Sequence, residues 1–449
     1  MDNTICAIAT SVGVGAISII KISGSEAIKV TDSIFSGNLI DCPTNTIKYG
    51  FIVDDNIKID EVLISVMRSP KTYTTEDVVE INCHGGVVVT NRILEILLNK
   101  GCSLAEPGEF TKRAYLNGRI DLVEAEAVSD IINAATESAS KLAINQIQGK
   151  ISKKINNIRK KLLEILANIE VNIDYPEYED IEVMNDKLIK PKLLTIQKEI
   201  SKIINESNNA KIIKNGIDVA IIGKPNVGKS SILNFLLDEA KAIVTDVAGT
   251  TRDIVEGKIL LNGILINLFD TAGIRSTNNP IEKMGVDKSL EVLKSSDLII
   301  FVLNNSDILS VDDLEILEII KSKNHIIFIN KSDLQQKIST DLLTKYDYVL
   351  GNTINDDGLD KLKTKIVEMF NLSMVTAKDP NYLSNVRQIS LIKQADLALK
   401  ELLDNIENLA IDLIAIDVKR IWDLLGEILG ESYNEELLDE LFSNFCLGK

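Results

Sequence analysis

The sequence predicts a multidomain protein of mixed class: an α+β N-terminal domain, an α-helical bundle built from two separated segments, and an α/β domain inserted between them. Three observations predict it. Residues 1–118 mix short β-like runs with glycine turns, residues 122–172 and 386–428 place apolar side chains at spacings of three and four, and residues 216–371 alternate apolar runs with helical stretches. The boundaries that follow are 1–118 for the first domain, 119–213 with 373–449 for the discontinuous bundle, and 214–372 for the insertion.

In the first domain, AISIIKIS (16–23) and VVEINCH (78–84) read as strands and residues 87–99 as a helix. Long helices are expected over 122–172, where Ile144, Ile147, Ile151, Ile155, Ile158 and Leu162 keep one apolar stripe. A second helical stretch covers 186–208, with Pro191 at a first turn or a kink. In the insertion, DVAIIG, ILINLFD, DLIIFVL and HIIFIN alternate with helices, the grammar of a parallel sheet wrapped by helices. Helix resumes over 386–428, then a short acidic helix leads into the tail FCLGK.

Hydrophobic residues make up 45% and charged residues 26% of the chain, which excludes wholesale disorder and fibrous classes. The net charge of -17 argues against a generic nucleic-acid coat, though not against a local basic groove. Five scattered cysteines without CxxC spacing suggest neither a disulfide framework nor a zinc knuckle. No apolar run approaches the ~18 residues of a membrane span, and the N-terminus lacks a basic region before an apolar stretch, so a cytoplasmic chain is expected.

The segment Gly223 to Ser230, GKPNVGKS, matches GxxxxGK[ST] between a strand-like and a helix-like run. Dense phosphate charge needs many backbone N–H donors at a helix N-terminus, and glycines allow the close approach. Lys229 is expected on the β- and γ-phosphates and the Ser230 hydroxyl on Mg2+. Downstream, Asp270, Thr271, Ala272 and Gly273 close one apolar strand, where the carboxylate can hold hydrated Mg2+ and the glycine amide can meet the γ-phosphate. Asn330, Lys331, Ser332 and Asp333 close another. A carboxylate at Asp333 accepts two N–H donors from a base edge, which guanine offers and adenine does not. Three such signals at successive strand ends imply a GTP site.

At this point the chain resembles the translation-factor class of P-loop GTPases. That resemblance places switch I in TDVAGTTRD, with Thr250 and Thr251 in it and Thr251 completing the Mg2+ shell. Two departures stand out: Asn352 and Thr353 occupy the loop that usually backs guanine with Ser-Ala, and Ile274 stands where Ras-like proteins carry a water-positioning Gln. Arg252 is a weighed alternative as a finger in cis, although an arginine beside an aspartate more often forms a surface ion pair.

Beyond the inserted domain, the whole chain resembles the MnmE (TrmE) family of tRNA modification GTPases. The matching segments are AIATSVGVGAISIIKISG, SPKTYTTEDVVEINCHGG, AEPGEFTKRAYLNGRIDLVEAEAVSDII, KAIVTDVAGTTRD and the terminal FCLGK. The resemblance implies a folate-binding, dimerising N-terminal domain, a helical bundle and an inserted P-loop GTPase domain. It extends the nucleotide site to Asn226, Val227, Gly228, Lys229, Ser230, Ser231, Thr245, Asp246, Val247, Ala248, Gly249, Thr250 and Thr251, with Asp270 to Gly273, Asn330, Lys331 and Asp333. It implies potassium (K+) activation through Asn226, Thr245, Val247 and Thr250, and a Glu282 that orients the attacking water.

The same resemblance implies 5-formyl- or methylene-tetrahydrofolate on Lys21, Glu80, Arg119 and Lys449, where charge logic agrees: a carboxylate suits pterin N–H groups and cations suit a glutamyl tail. Lys21 and Arg119 keep the family's charge while changing its bidentate geometry. Cys446 is implied as a nucleophile or site residue. His84 reads as a turn-stabilising residue and His325 as structural. The implied partners are a second copy of the chain, an MnmG (GidA) flavoprotein in a heterotetramer, and tRNA, which the run Lys150, Lys153, Lys154, Arg159, Lys160 and Lys161 would meet if it formed one basic face. The implied reaction adds a (carboxymethyl)aminomethyl group at C5 of the wobble uridine of certain tRNAs. The alternative is a regulatory ribosome-associated GTPase switch, which lacks the N-terminal domain and CxGK tail.

Overall fold

The computed structural model describes residues 3–174, 186–239, 257–270, 292–370, 382–431 and 435–449. They divide into two compact units, one from Met1–Asn133, Ala143–Lys202 and Val386–Lys449, the other from Ala134–Leu142 and Ile203–Asn385.

The first unit opens with a six-stranded sheet of β1 (Ile5–Ile8), β2 (Ile17–Ser23), β3 (Thr46–Asp54), β4 (Ile57–Met67), β5 (Val78–His84) and β6 (Ser103–Leu104), with α1 (Ala27–Asp32) and α2 (Val87–Asn99) between strands. Its order is β3-β4-β5-β2-β1-β6, antiparallel except for the β1–β6 pair. Burial alternates along β4, so one face packs: Ile20, Ile22, Ile64 and Ile81 meet Ile93 and Leu97 of α2. The β3–β4 hairpin turns at Asp55 and Asn56, both at positive φ (46° and 68°), the backbone that a tight hairpin with strand-matching twist requires.

Helices follow: α3 (Glu109–Leu116), α4 (Leu122–Ile132), α5 (Glu137–Ile147), α6 (Lys150–Asp174) and α7 (Asp186–Asn215). The helical reading of 122–172 holds, but as three helices. Asp121 and Glu124 cap α4 reciprocally, and Gly149 separates α5 from α6 at φ +67°, a conformation that L side chains avoid. Pro191 lies inside α7, beyond the first turn of its described residues, so the N–H it lacks is one that the helical ladder would otherwise use.

The second unit continues with β7 (Ile217–Ile222), α8 (Lys229–Glu239), β8 (Gly257–Leu261), β9 (Ile264–Asp270), β10 (Leu298–Asn304), α9 (Val311–Ile320), β11 (His325–Asn330), β12 (Tyr348–Leu350) and α10 (Leu359–Met369). The sheet order is β12-β11-β10-β7-β9-β8. Five strands run parallel as the alternation predicts. The sixth, β8, departs from it: it pairs antiparallel with β9 through a turn at Asn262 and Gly263. Because both faces of the parallel strands are covered, β10 is buried from Leu298 to Leu303, with Leu298, Ile300 and Val302 in one core and Ile299, Phe301 and Leu303 in the other.

The chain returns to the first unit as α11 (Val386–Asn405), α12 (Ile411–Leu429) and α13 (Glu435–Ser443). Arg387, on α11, donates to buried Glu126 of α4 (Nε–Oε1 2.9 Å, Nη2–Oε2 3.0 Å) and to the carbonyls of Glu427 and Ile428. The basic run on α6 is not one face. Arg159 is buried over the Trp422 ring (4.1 Å) and paired with Glu431, and Lys161 is paired with Glu199, because the apolar stripe that binds α6 to α12 carries Arg159 inward with it.

Phe301, fully buried on the central strand, sets a test of this core: Phe301→Ala is expected to cost ~3–5 kcal/mol, read as a lower urea midpoint for the transition of this unit.

Candidate functional site

The nucleotide cleft forms where β7 and β11 end on the same edge of the second sheet, the C-terminal edge at which open α/β sheets bind ligands. Gly223 follows β7 at φ +147°, backed so closely by the Val302 carbonyl that a side chain has no room. Asn226 and Gly228 also take positive φ (65° and 104°), turning the loop into the start of α8. Lys229 is the first residue of that helix, and its ammonium donates to the carbonyls of Gly223 (2.9 Å) and Lys224 (3.1 Å). A glycine-bearing loop capped by a helix N-terminus aims backbone N–H groups at an anion.

Asn330, at the end of β11 and 1% exposed, ties this loop to two others. Its Nδ2 donates to the Val227 carbonyl (2.8 Å) and to Thr353 Oγ1 (3.2 Å). Its Oδ1 accepts from the backbone N–H of Lys331 (2.8 Å) and Thr353 (3.1 Å). The loop in which Asn352 and Thr353 replace Ser-Ala is therefore held in place, and Asn352 itself is buried with its Oδ1 accepting from Ile354 N (2.9 Å). Together these residues enclose a cleft of about 530 Å³ lined by Asn226, Gly228, Lys229, Ser230, Ser231, Lys331 and Asp333 as well as Asn330, Asn352 and Thr353. Val227, expected among the nucleotide-binding residues, does not line the cleft: its side chain is buried in the core.

The backbone of Asp270 pairs with Ile221, which brings the end of β9 to the same edge. Thr245, Asp246, Val247, Ala248, Gly249, Thr250 and Thr251, then Thr271, Ala272, Gly273 and Glu282, lie outside the described residues. Among the described residues no cluster of His, Cys, Asp and Glu could hold a metal, and no helix is long and apolar enough to cross a membrane.

The first unit holds a second constellation. Lys21 of β2 and Glu80 of β5 are cross-strand partners. The Lys21 ammonium, only 8% exposed, sits 4.3 Å from the Tyr73 ring centre and 4.9 Å from that of Phe110, and the Arg119 guanidinium lies 4.5 Å over Tyr73. Burial pushes the Lys21 pKa down to about 8; Glu80 opposes the shift, while Lys449 and Arg119 add to it. Lys449 reaches this neighbourhood because the tail folds back: the Gly108 and Lys449 amides both donate to the Cys446 carbonyl (3.3 Å), and Gly448, at φ +85°, backs onto Ile8 and Ala9. Phe442 and Phe445 anchor the tail beside Leu122 and Ala125. Cys446 is exposed as a free thiol.

Four charged residues spread from position 21 to 449 thus come together in one cluster beside two aromatic rings. Tyr73 and Phe110 were not singled out from the sequence. Both lie in the segments that carried the family resemblance, but nothing in their spacing marks a ring that receives a cation. His84 bonds Asp60 (Nδ1–Oδ1 2.7 Å) beside its turn, and His325 packs edge-on to Tyr346.

A family model described as the MnmE helical domain matches residues 122–446, and one described as the GTP-binding protein TrmE N-terminus matches residues 4–119. The tRNA modification GTPase MnmE of Oceanobacillus iheyensis is 49% identical over 100% of this chain and 99% of its own length. That of Enterococcus faecalis is 48% identical over 100% of this chain and 98% of its own. Among solved structures, the G domain of the T. maritima FeoB iron transporter is 28% identical over 34% of this chain and 97% of its own, with a TM-score of 0.26.

Two outcomes are expected. Gly228→Ala, strained at φ +104° and driven against Asn330 Nδ2, lowers affinity for a fluorescent GDP by at least about tenfold. For Lys21, the unfolded chain still binds a proton between pH 8 and 10.5 where the folded one has lost it, so stability rises across that window. Wild type therefore gains stability relative to Lys21→Met as pH rises from 8 to 10, read from unfolding midpoints.

Proposed function

The chain belongs to the MnmE family of tRNA modification GTPases and hydrolyses GTP in tRNA modification, and from that premise we propose that a potassium-activated GTPase cycle drives its part in modifying wobble uridines. In this reading the protein and an FAD-dependent MnmG (GidA) partner install a (carboxymethyl)aminomethyl group at C5 of the wobble uridine, position 34, of certain tRNAs. The observation that carries it is the clustering of Lys21, Glu80, Arg119 and Lys449, far apart in sequence, beside the Tyr73 and Phe110 rings, in a chain that also builds a cleft at its phosphate loop.

In the cleft, Lys229 neutralises the β- and γ-phosphate oxygens, the Asp333 carboxylate reads guanine, and Ser230 supplies a hard oxygen of the kind Mg2+ prefers, with Thr251 completing its shell. Asn226, Thr245, Val247 and Thr250 hold the potassium ion, which when bound supplies the positive charge that other GTPases take from an arginine. Glu282 orients the attacking water in place of the Gln that Ile274 displaces.

In the pocket, Glu80 accepts from pterin N–H groups, Tyr73 and Phe110 offer flat apolar faces, and Lys21, Arg119 and Lys449 meet the carboxylates of 5-formyl- or methylene-tetrahydrofolate. The bound folate supplies a one-carbon unit. Cys446, an exposed free thiol in the same tail as Lys449, serves as the nucleophile in this reading. A homodimer through the N-terminal sheet is supported by Ile17, Ile47, Tyr49 and Leu63, which are exposed on its outer face. A cytoplasmic site of action completes the proposal.

The decisive experiment is mass analysis of wobble uridines in tRNA from cells lacking the protein. Loss of the C5 substituent is expected, and an unchanged nucleoside profile would leave a regulatory switch instead. GTP turnover is expected to be at least about tenfold faster in potassium than in sodium chloride and to collapse in Glu282→Ala; equal rates in both salts with an unimpaired variant would remove the cation and glutamate roles.

A further inference from the structure

Lys224, the second residue of the phosphate loop, sends its ammonium to Asp313 at the start of α9 (Nζ–Oδ2 2.6 Å). Asp313 is 3% exposed, and the same Oδ2 accepts from Ser310 N and Ser310 Oγ, both at 2.9 Å. Its other oxygen, Oδ1, is buried and has no hydrogen-bond partner among the described residues. A carboxylate taken so far out of water is held by the cation that pairs with it, and the pair resists being opened because separation would strand the charge.

The backbone of Lys224 has a second task. Its carbonyl accepts from the Lys229 ammonium at 3.1 Å, beside the Gly223 carbonyl at 2.9 Å. One residue therefore links a buried anion on α9 to the acceptors that orient the phosphate-binding lysine. Helix capping does not explain the arrangement, since Ser310 and Asp313 complete their reciprocal cap without any cation.

We propose that Asp313 is a positioning residue for GTP: through Lys224 it holds the loop carbonyls that aim Lys229 at the β- and γ-phosphates. This rests on the GTP hydrolysis of the family and is independent of potassium activation and of the folate pocket.

The test uses the full chain. Asp313→Asn keeps an acceptor for the cap and removes the charge, and Lys224→Gln removes the cation and leaves the cap intact. Each is expected to raise the KM for GTP about tenfold, within the range for coupled neighbours, and the double variant is expected to show a KM no higher than the worse single. Lys224→Arg is expected to recover most of what Lys224→Gln loses. A fall in kcat at unchanged KM, the mark of a smaller folded fraction, would overturn the proposal, as would losses that multiply in the double variant. Should Asp313→Asn fail to fold, the comparison of Lys224→Gln with Lys224→Arg decides: equal KM values refute it.

Discussion

The side chain of Asn330 is the interaction on which the nucleotide cleft depends. A buried amide has two donors and two acceptor lone pairs to satisfy, and here the phosphate loop, the Lys331 backbone and the Thr353 loop satisfy them together. No member of that set can move without leaving a buried polar group unpaired, at a cost of about 1–3 kcal/mol. The loops around the cleft are thus held in register by one side chain. The close fit of Gly228 against Asn330 is part of the same constraint, since a side chain there would push the amide off its partners.

The charged cluster in the first unit works by the opposite principle. Asn330 is satisfied; Lys21 is kept short of water and set near two other cations, so its proton is held weakly. A bound anion relieves that repulsion. The aromatic faces of Tyr73 and Phe110 offset part of the cost while the site is empty of anion, because a cation over a ring keeps some electrostatic stabilisation. A cluster built this way favours negatively charged ligands over neutral ones of similar shape.

The elements were largely legible from the chain alone because they follow from local periodicity. Val87–Asn99, Val78–His84, Ile264–Asp270 and His325–Asn330 begin and end where their apolar patterns and turn residues say. Local pattern was less informative at β8, where a short run of mixed polarity joins β9 through a two-residue turn, and at Gly149, where one glycine divides a helical repeat that reads as unbroken. It misjudged Arg159, because a charged residue on an apolar stripe looks solvated until the Trp422 ring and Glu431 that receive it are known.

By itself the sequence determined the alternation of strands and helices, the phosphate loop and the guanine-type NKSD segment, since each is a pattern of contiguous residues whose chemistry does not depend on distant neighbours. Only the tertiary structure decided that Asn330 clamps the Thr353 loop, that Asp313 reaches Lys224, and that Lys449 returns to the neighbourhood of Lys21. Those pairings join residues 23, 89 and 428 positions apart by number, and no local periodicity encodes which buried charge will meet which partner once the strands have stacked.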